Sequence, residues 1–362
     1  MRMNIRFIRK PCLFIESIEL LYAYVNHIPQ PMIAGGPYCI PSQDVSEIME
    51  EACREINRDS ELLQYFFTAH SVGRDTVQNT CLAFIMVYSF ITTPWLDLNG
   101  LTDSLTEKWE SNCREPYRIA TINRYALGIE HVDSKEPVSL AKELKCVNLS
   151  EEFFAILLEG LSDYAYRIGL LRELVRPVAE KLSVLLQPYI DNALPLADEW
   201  ERILHGGGVE ALLQNRLRTT VEHSLTSAVF QLQFFNRQGS HGLLDPKTGS
   251  MTMLLGVGLA PSLSPEWQNA ESTDHALSAI RLLGDRGRSQ IIHALRGRAM
   301  SLQDLSNCLD MNPGTLFRNL NSMADAHLLD KKVYGSRCYY KANVEYIRSI
   351  FAKLMDYYTR TE

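Results

Sequence analysis

The sequence predicts a mostly α protein in two parts. The first is an N-terminal helical domain with a small β element (1–262), and the second a smaller domain (274–362) built of short helices closed by a hairpin. Three observations predict this. Apolar residues recur at helical spacing through most of the first 200 residues. The texture then changes at "SHGLLDPKTGSMTMLLGVGLAPSLSP", where two apolar runs flank the turn "DPKTG" and read as a β-hairpin at about 240–260. Finally, the Pro-containing polar cluster around 262–274 separates two stretches of opposite charge.

The elements follow in order. "NIRFIRK" opens as a short β-like run, and "LFIESIELLYAYV" after Pro11 is helical. Residues 29–41, "PQPMIAGGPYCIP", are a loop, with four prolines and two glycines. "SQDVSEIMEEACREIN" is an amphipathic helix with acidic residues in its first turn. "SELLQYFFTAH" and "DTVQNTCLAFIMVYSFI" follow as helices, and the aromatic side chains of 61–95 are candidates for core or for a ligand cavity. Helical patterns continue at 101–113, 136–146 and 150–205, the last broken by Pro177, Pro188 and Pro195. "HGGG" at 205–208 reads as a joint, and a further helical stretch is expected over 209–237. No internal repeat appears.

Composition is that of an ordinary globular chain, 46% hydrophobic and 22% charged. The net charge of −7 is unevenly shared. Residues 274–362 carry 13 Lys/Arg against 9 Asp/Glu, leaving 23 against 34 for residues 1–273. A basic tail on an acidic body fits nucleic-acid binding confined to the tail. Eight cysteines without CxxC spacing and the lack of a secretory pattern point to free, mostly buried thiols in the cytoplasm. The most apolar run, 81–91, falls short of the roughly 20 residues that span a bilayer, so a buried helix and no membrane partner are expected.

The tail carries the information. "DHALSAIRLLGD" and "RSQIIHALRG" are helices separated at "DRG". Ser301 and Asp304 form a capping box for "SLQDLSNCL", whose Leu302, Leu305 and Leu309 share a side. "LDM" makes a turn, and Asn312 with Pro313 starts the next helix, 313–327, as cap and first-turn residue. Leu316, Leu320 and Met323 must face a core. Thr315, Arg318 and Ser322 then fall on the outer face, with Asn319 and Asn321 toward its margins. These are side chains of the kind that read base edges in a major groove. "LLDKKVYGSRCYYKAN" reads as a two-stranded wing turning at Gly335–Ser336, with Lys331, Lys332 and Arg337 placed for phosphate. That order of elements is a winged helix-turn-helix.

From "ALSAIRLLGDRGRSQIIHAL" through "TLFRNLNSMADAHLL" to "YGSRCYYKA" the tail resembles the DNA-binding domain of the ArsR-type bacterial transcriptional regulators, over about 75–80 residues. Asp285 and Arg288 stand in the family's Asp and Arg places. Gly314, Phe317 and Asn319 depart from its habit of a small polar residue, Ser and His. The resemblance implies a regulator with a long helical N-terminal domain. On this reading Thr315, Arg318, Asn319 and Ser322 meet base edges, and Lys331, Lys332 and Arg337 (wing 331–340) meet the phosphate backbone of double-stranded DNA or its minor groove. A homodimer acting as a repressor rather than an activator is expected, paired through the apolar residues of "VEYIRSIFAKLMDYY" (Ile347, Ile350, Phe351, Leu354, Tyr358). A small-molecule effector of unstated identity remains open.

Metal sensing is not expected, since Cys308 alone cannot build a tetrahedral site and the last helix has no His; burial is the expected state of Cys308 and Cys338. No cofactor is expected. GxxxxGK[ST], GxGxxG after a strand, GxSxG and HExxH are all missing, so the chain is not read as an enzyme. The competing expectation is a winged helix used as a protein-interaction module within a scaffold.

Overall fold

A computed structural model describes residues 3–28, 38–72, 78–111, 117–119, 129–132, 136–145, 147, 149–213, 225–236, 239–245, 248–259, 261, 273–334 and 337–359. The chain is mostly helical, with small sheets. It divides into two compact units, residues 1–202 with 225–261, and residues 203–224 with 262–362. The border expected near 262–274 falls at one of these cuts, though most of its residues lie outside those described. The expected first domain, 1–262, differs in that 203–224 groups with the C-terminal unit.

The first unit opens with β1 (Asn4–Ile8) and α1 (Leu13–Val25). Next come α2 (Ser42–Ala52), α3 (Glu61–Phe67), the paired short strands β2 (His70–Val72) and β3 (Gln78–Thr80), α4 (Leu82–Tyr88) and α5 (Leu98–Ser111). A second small pair is β4 (Tyr117–Ile119) and β5 (Ile129–Val132). Then α6 (Pro137–Leu144), α7 (Glu151–Ser162), α8 (Tyr164–Leu185), α9 (Gln187–Asn192) and α10 (Leu194–Ile203) follow. Helix α4 is buried on every side, as its unbroken apolar run requires. The aromatic residues around it, Phe66, Phe67, Phe84, Tyr88 and Phe90, are core. Gly160 of α7 meets Leu82 of α4 so closely that a Cβ there would lie 2.7 Å from its Cδ1.

Proline does not break the long segment everywhere it was expected to. Pro188 and Pro195 stand at helix starts, where a missing N–H costs nothing, but Pro177 lies inside the 22-residue α8. The carbonyl it leaves unbonded belongs to Glu173, on the exposed side of the helix, where solvent can take its place.

A larger correction concerns 209–237. After a short turn at Leu204–Gly208, in which Gly207 adopts φ 94°, helix α11 covers Val209–Leu212, and the part of the expected helix over 214–224 lies outside the described residues. Residues Ser227–Gln233 form a strand, β6, not a helix. With β7 (Ser240–Asp245) and β8 (Ser250–Gly256) it makes a four-stranded sheet in the order β1-β6-β8-β7, parallel except for the β7–β8 hairpin. Strand β6 lies between neighbours, so its polar residues are buried with its apolar ones. Gln231 donates to the Lys10 carbonyl at 2.6 Å, and Gln233 to the Tyr88 hydroxyl at 2.7 Å. Both glutamines of "SAVFQLQ" are interior groups that donate hydrogen bonds.

That sheet end is pinned by buried polar groups. The Glu16 carboxylate of α1 accepts the backbone N–H groups of Phe234 and Phe235 at 2.8 and 2.9 Å. Glu19 accepts from the Tyr88 hydroxyl at 2.7 Å, and the His241 ring on β7 bonds the Tyr88 carbonyl at 3.0 Å. Burial pushes the Glu16 carboxyl up to about 8, against the pull of its two N–H donors, with Glu19 adding repulsion. Burial likewise lowers His241 to about 4, against its bond to Tyr88.

The second unit continues with α12 (Thr273–Leu283), α13 (Arg286–Ala294), β9 (Met300–Ser301), α14 (Leu302–Leu309), α15 (Pro313–Asp325), β10 (Leu329–Tyr334), β11 (Arg337–Ala342) and α16 (Val344–Thr359). Its core gathers Ile291, Leu295, Leu305, Leu316, Leu320 and Tyr340. The first and last long helices, α12 and α16, pack on one another. Among the described residues no helix is long and apolar enough to cross a membrane.

Candidate nucleic-acid interface

Two short helices and a hairpin place the candidate residues, and the local sequence explains each. Asp285 caps α13 by accepting the Arg288 N–H at 2.9 Å. Ser301 and Asp304 form the reciprocal capping box on α14. Helix α14 ends at Asp310, which takes the left-handed conformation (φ 50°, ψ 41°) that Asp tolerates better than most residues. The Ser306 hydroxyl donates to the Met311 carbonyl at 2.8 Å and fastens the turn. Asn312 then caps α15, its Oδ1 accepting from Gly314 N at 2.9 Å and Thr315 N at 3.4 Å.

On α15, Leu316, Leu320 and Met323 are fully buried, as their spacing required. Thr315 and Arg318 are exposed, with the Arg318 guanidinium donating to the Thr315 hydroxyl at 3.2 Å. Asn319 is half-buried, and its Oδ1 accepts from Arg288 Nε of α13 at 3.2 Å. Its acceptor oxygen is thereby occupied. Sequence reasoning placed Arg288 by resemblance alone; its bond to Asn319 links helices 31 positions apart and has no local signal.

Ser322 is the correction. It was expected on the outer face but is only 5% exposed, and its Oγ meets no hydrogen-bond partner. Past the middle of α15 the chain turns back into β10, which packs against the helix. The exposed described residues of α15 therefore lie in its N-terminal half.

The hairpin pairs Lys331 with Tyr340, Lys332 with Tyr339 and Tyr334 with Arg337, while β9 adds a third strand beside Tyr339 and Tyr340. By pleat alternation the positions of Lys332 and Arg337 share one face, and Lys331 falls on the other, opposite the buried Tyr340. The expected turn residues Gly335 and Ser336 lie outside the described residues. Cys308 is exposed and Cys338 half-buried, against the expectation that both would be packed away: Cys308 sits near the end of a helix whose inward side is already taken by Leu305. Among the described residues no cluster of three or more His, Cys, Asp or Glu side chains is arranged to hold a metal ion.

No family model, no curated protein and no solved structure matches this chain.

Proposed function

We propose that the C-terminal unit is a winged helix-turn-helix of the ArsR type that reads double-stranded DNA, and that the chain is a transcriptional regulator acting as a repressor. The observation that carries this is the N-terminal half of α15. The helix is capped by Asn312, anchored by three buried apolar residues along its length and exposes Thr315 and Arg318 beside a hairpin bearing Lys332 and Arg337. Base edges are read by Arg318 and Thr315, with Asn319 presented through its bond to Arg288; the hairpin supplies phosphate contacts. A homodimer suits this reading, because two-fold operators mirror two-fold proteins. Its contact is α16, where Phe351, Met355 and Tyr358 are 50%, 62% and 68% exposed at i, i+4, i+7 spacing.

The test is fluorescence anisotropy of the whole protein on DNA from upstream of its own gene and on a scrambled duplex, across a salt series. A preference of about a thousandfold, with affinity falling steeply as salt rises, is the expected result. Equal weak binding to both would sink the proposal. It would favour the second reading, a winged helix serving as a protein-interaction module. One observation leans that way: with Ser322 buried and the Asn319 acceptor occupied, the polar face open to a base is smaller than the spacing predicted.

A further inference from the structure

Beside α15 lies a feature that the reading of bases leaves unused. The outer face of α13 and the loop after it form an open groove of about 710 Å³, bounded on one side by the end of α14 at Cys308 and Leu309. Arg286, Ser289, Gln290, His293, Arg296 and Arg298 line it, all exposed. Among the described residues none of the three arginines is paired with a carboxylate; only Arg298 has a fixed partner, its Nε donating to the Ala294 carbonyl at 3.0 Å. Three unneutralised guanidinium groups on one surface repel one another and gain most from a ligand carrying a row of negative charge.

Two observations choose that ligand. Helix α13 starts against the turn that launches α15: a Cβ on Gly287 would lie 3.0 Å from Met311 Cε, one residue from the Asn312 cap. Arg286, the residue before Gly287, opens α13 at that same end. The groove is also open rather than enclosed. Nine residues of helix run about 12 Å, long enough to pass more than one phosphate of a strand. An enclosed pocket would suit a small effector; this one is open and carries three arginines.

We infer that the Arg286–Arg298 groove is a phosphate clamp that holds the DNA backbone flanking the bases read by α15. The inference rests on the DNA-reading proposal and adds residues to it that neither the helix nor the hairpin supplies. Guanidinium groups and the Ser289 and Gln290 side chains donate to non-bridging phosphate oxygens, so the groove contributes affinity without sequence choice.

The experiment compares the whole protein with Arg286→Gln/Arg296→Gln, in the same anisotropy salt series on both duplexes. Arg298 is left in place because it also closes α13. Loss of two phosphate contacts flattens the slope of log affinity against log salt by about 2, or roughly thirtyfold in affinity at 0.15 M salt if the curves converge at 1 M. The ratio between the two duplexes stays unchanged. Arg286→Lys/Arg296→Lys keeps the charge and is expected to keep most of the slope, which separates loss of charge from loss of folding. Superimposable salt curves for wild type and the Gln variant, on a wild type that prefers its own duplex, overturn the clamp and leave the DNA reader standing. A flattened slope on a wild type with no sequence preference does the reverse.

Discussion

Ser322 and Arg318 occupy one side of the same helix by spacing, yet they face different surroundings. Arg318 is exposed and tied only to Thr315, so its replacement by Ala is expected to cost about 1–3 kcal/mol on the preferred duplex and to relax choice at one base position. Ser322 holds an unpartnered hydroxyl in the interior. Ser322→Ala removes a buried group that gains nothing from folding, so DNA affinity should stay within about twofold and stability should hold or rise by about 1 kcal/mol. Anisotropy and thermal unfolding measure the two effects separately. A loss of binding in Ser322→Ala without a loss of folding would show that the hydroxyl reaches DNA after all.

The same division of roles appears along whole elements. In α16 five residues were expected to pair with a second copy, but Ile350 and Leu354 belong to the unit's own core, and Ile347 packs against it. Phe351 and Tyr358 stay outside, joined by Met355. Phe351→Glu with Met355→Glu is therefore expected to turn the proposed dimer into a monomer in sedimentation velocity while leaving the melting of the unit nearly unchanged. Ile350→Ala should instead lower stability by about 2–5 kcal/mol, as large-to-small core changes do. Dissociation by the core variant alone, with the double Glu variant still dimeric, would place the interface elsewhere. Caps were the most legible features at this scale: Ser301, Asp304, Asn312 and Pro313 act where their local pattern said they would. Strand β6 was illegible, because its two buried glutamines are bonded to groups more than 140 positions away.

Across the molecule, the buried polar groups of the first unit set a pH dependence with two opposed limbs. His241 sits below its ordinary value of 6.5, at about 4, so the unfolded chain takes up its proton first and stability is lost as pH falls from 6.5 through 4. Glu16 sits above its ordinary 4.5, at about 8, so its contribution is full below 4.5 and is lost as pH rises through 8. Between 4.5 and 6.5 the two offset each other. Urea unfolding followed by tryptophan fluorescence, with Trp109 and Trp200 buried in this unit, should show a decline from pH 6.5 to 8. Its slope should be up to about 1.4 kcal/mol per pH unit. Glu16→Gln should flatten that slope even though the amide mispairs with the Phe234 and Phe235 N–H groups and lowers stability throughout. An unchanged slope in the variant would mean that Glu16 is charged in the folded chain at neutral pH.

The sequence by itself determined what depends on neighbours close along the chain. Helix phase, caps, the turn before α15, the hairpin of the second unit and the change of texture at 240–260 all rest on interactions spanning a few residues. Only the tertiary structure decided that β1 pairs with β6 more than 200 positions later, that Ser322 is buried, that Arg288 holds Asn319, and that Arg286, Arg296 and Arg298 share one groove. The reason is physical. A side chain's spacing fixes which way it points from its own helix or strand, but what it then meets is set by packing between elements, which no local pattern encodes.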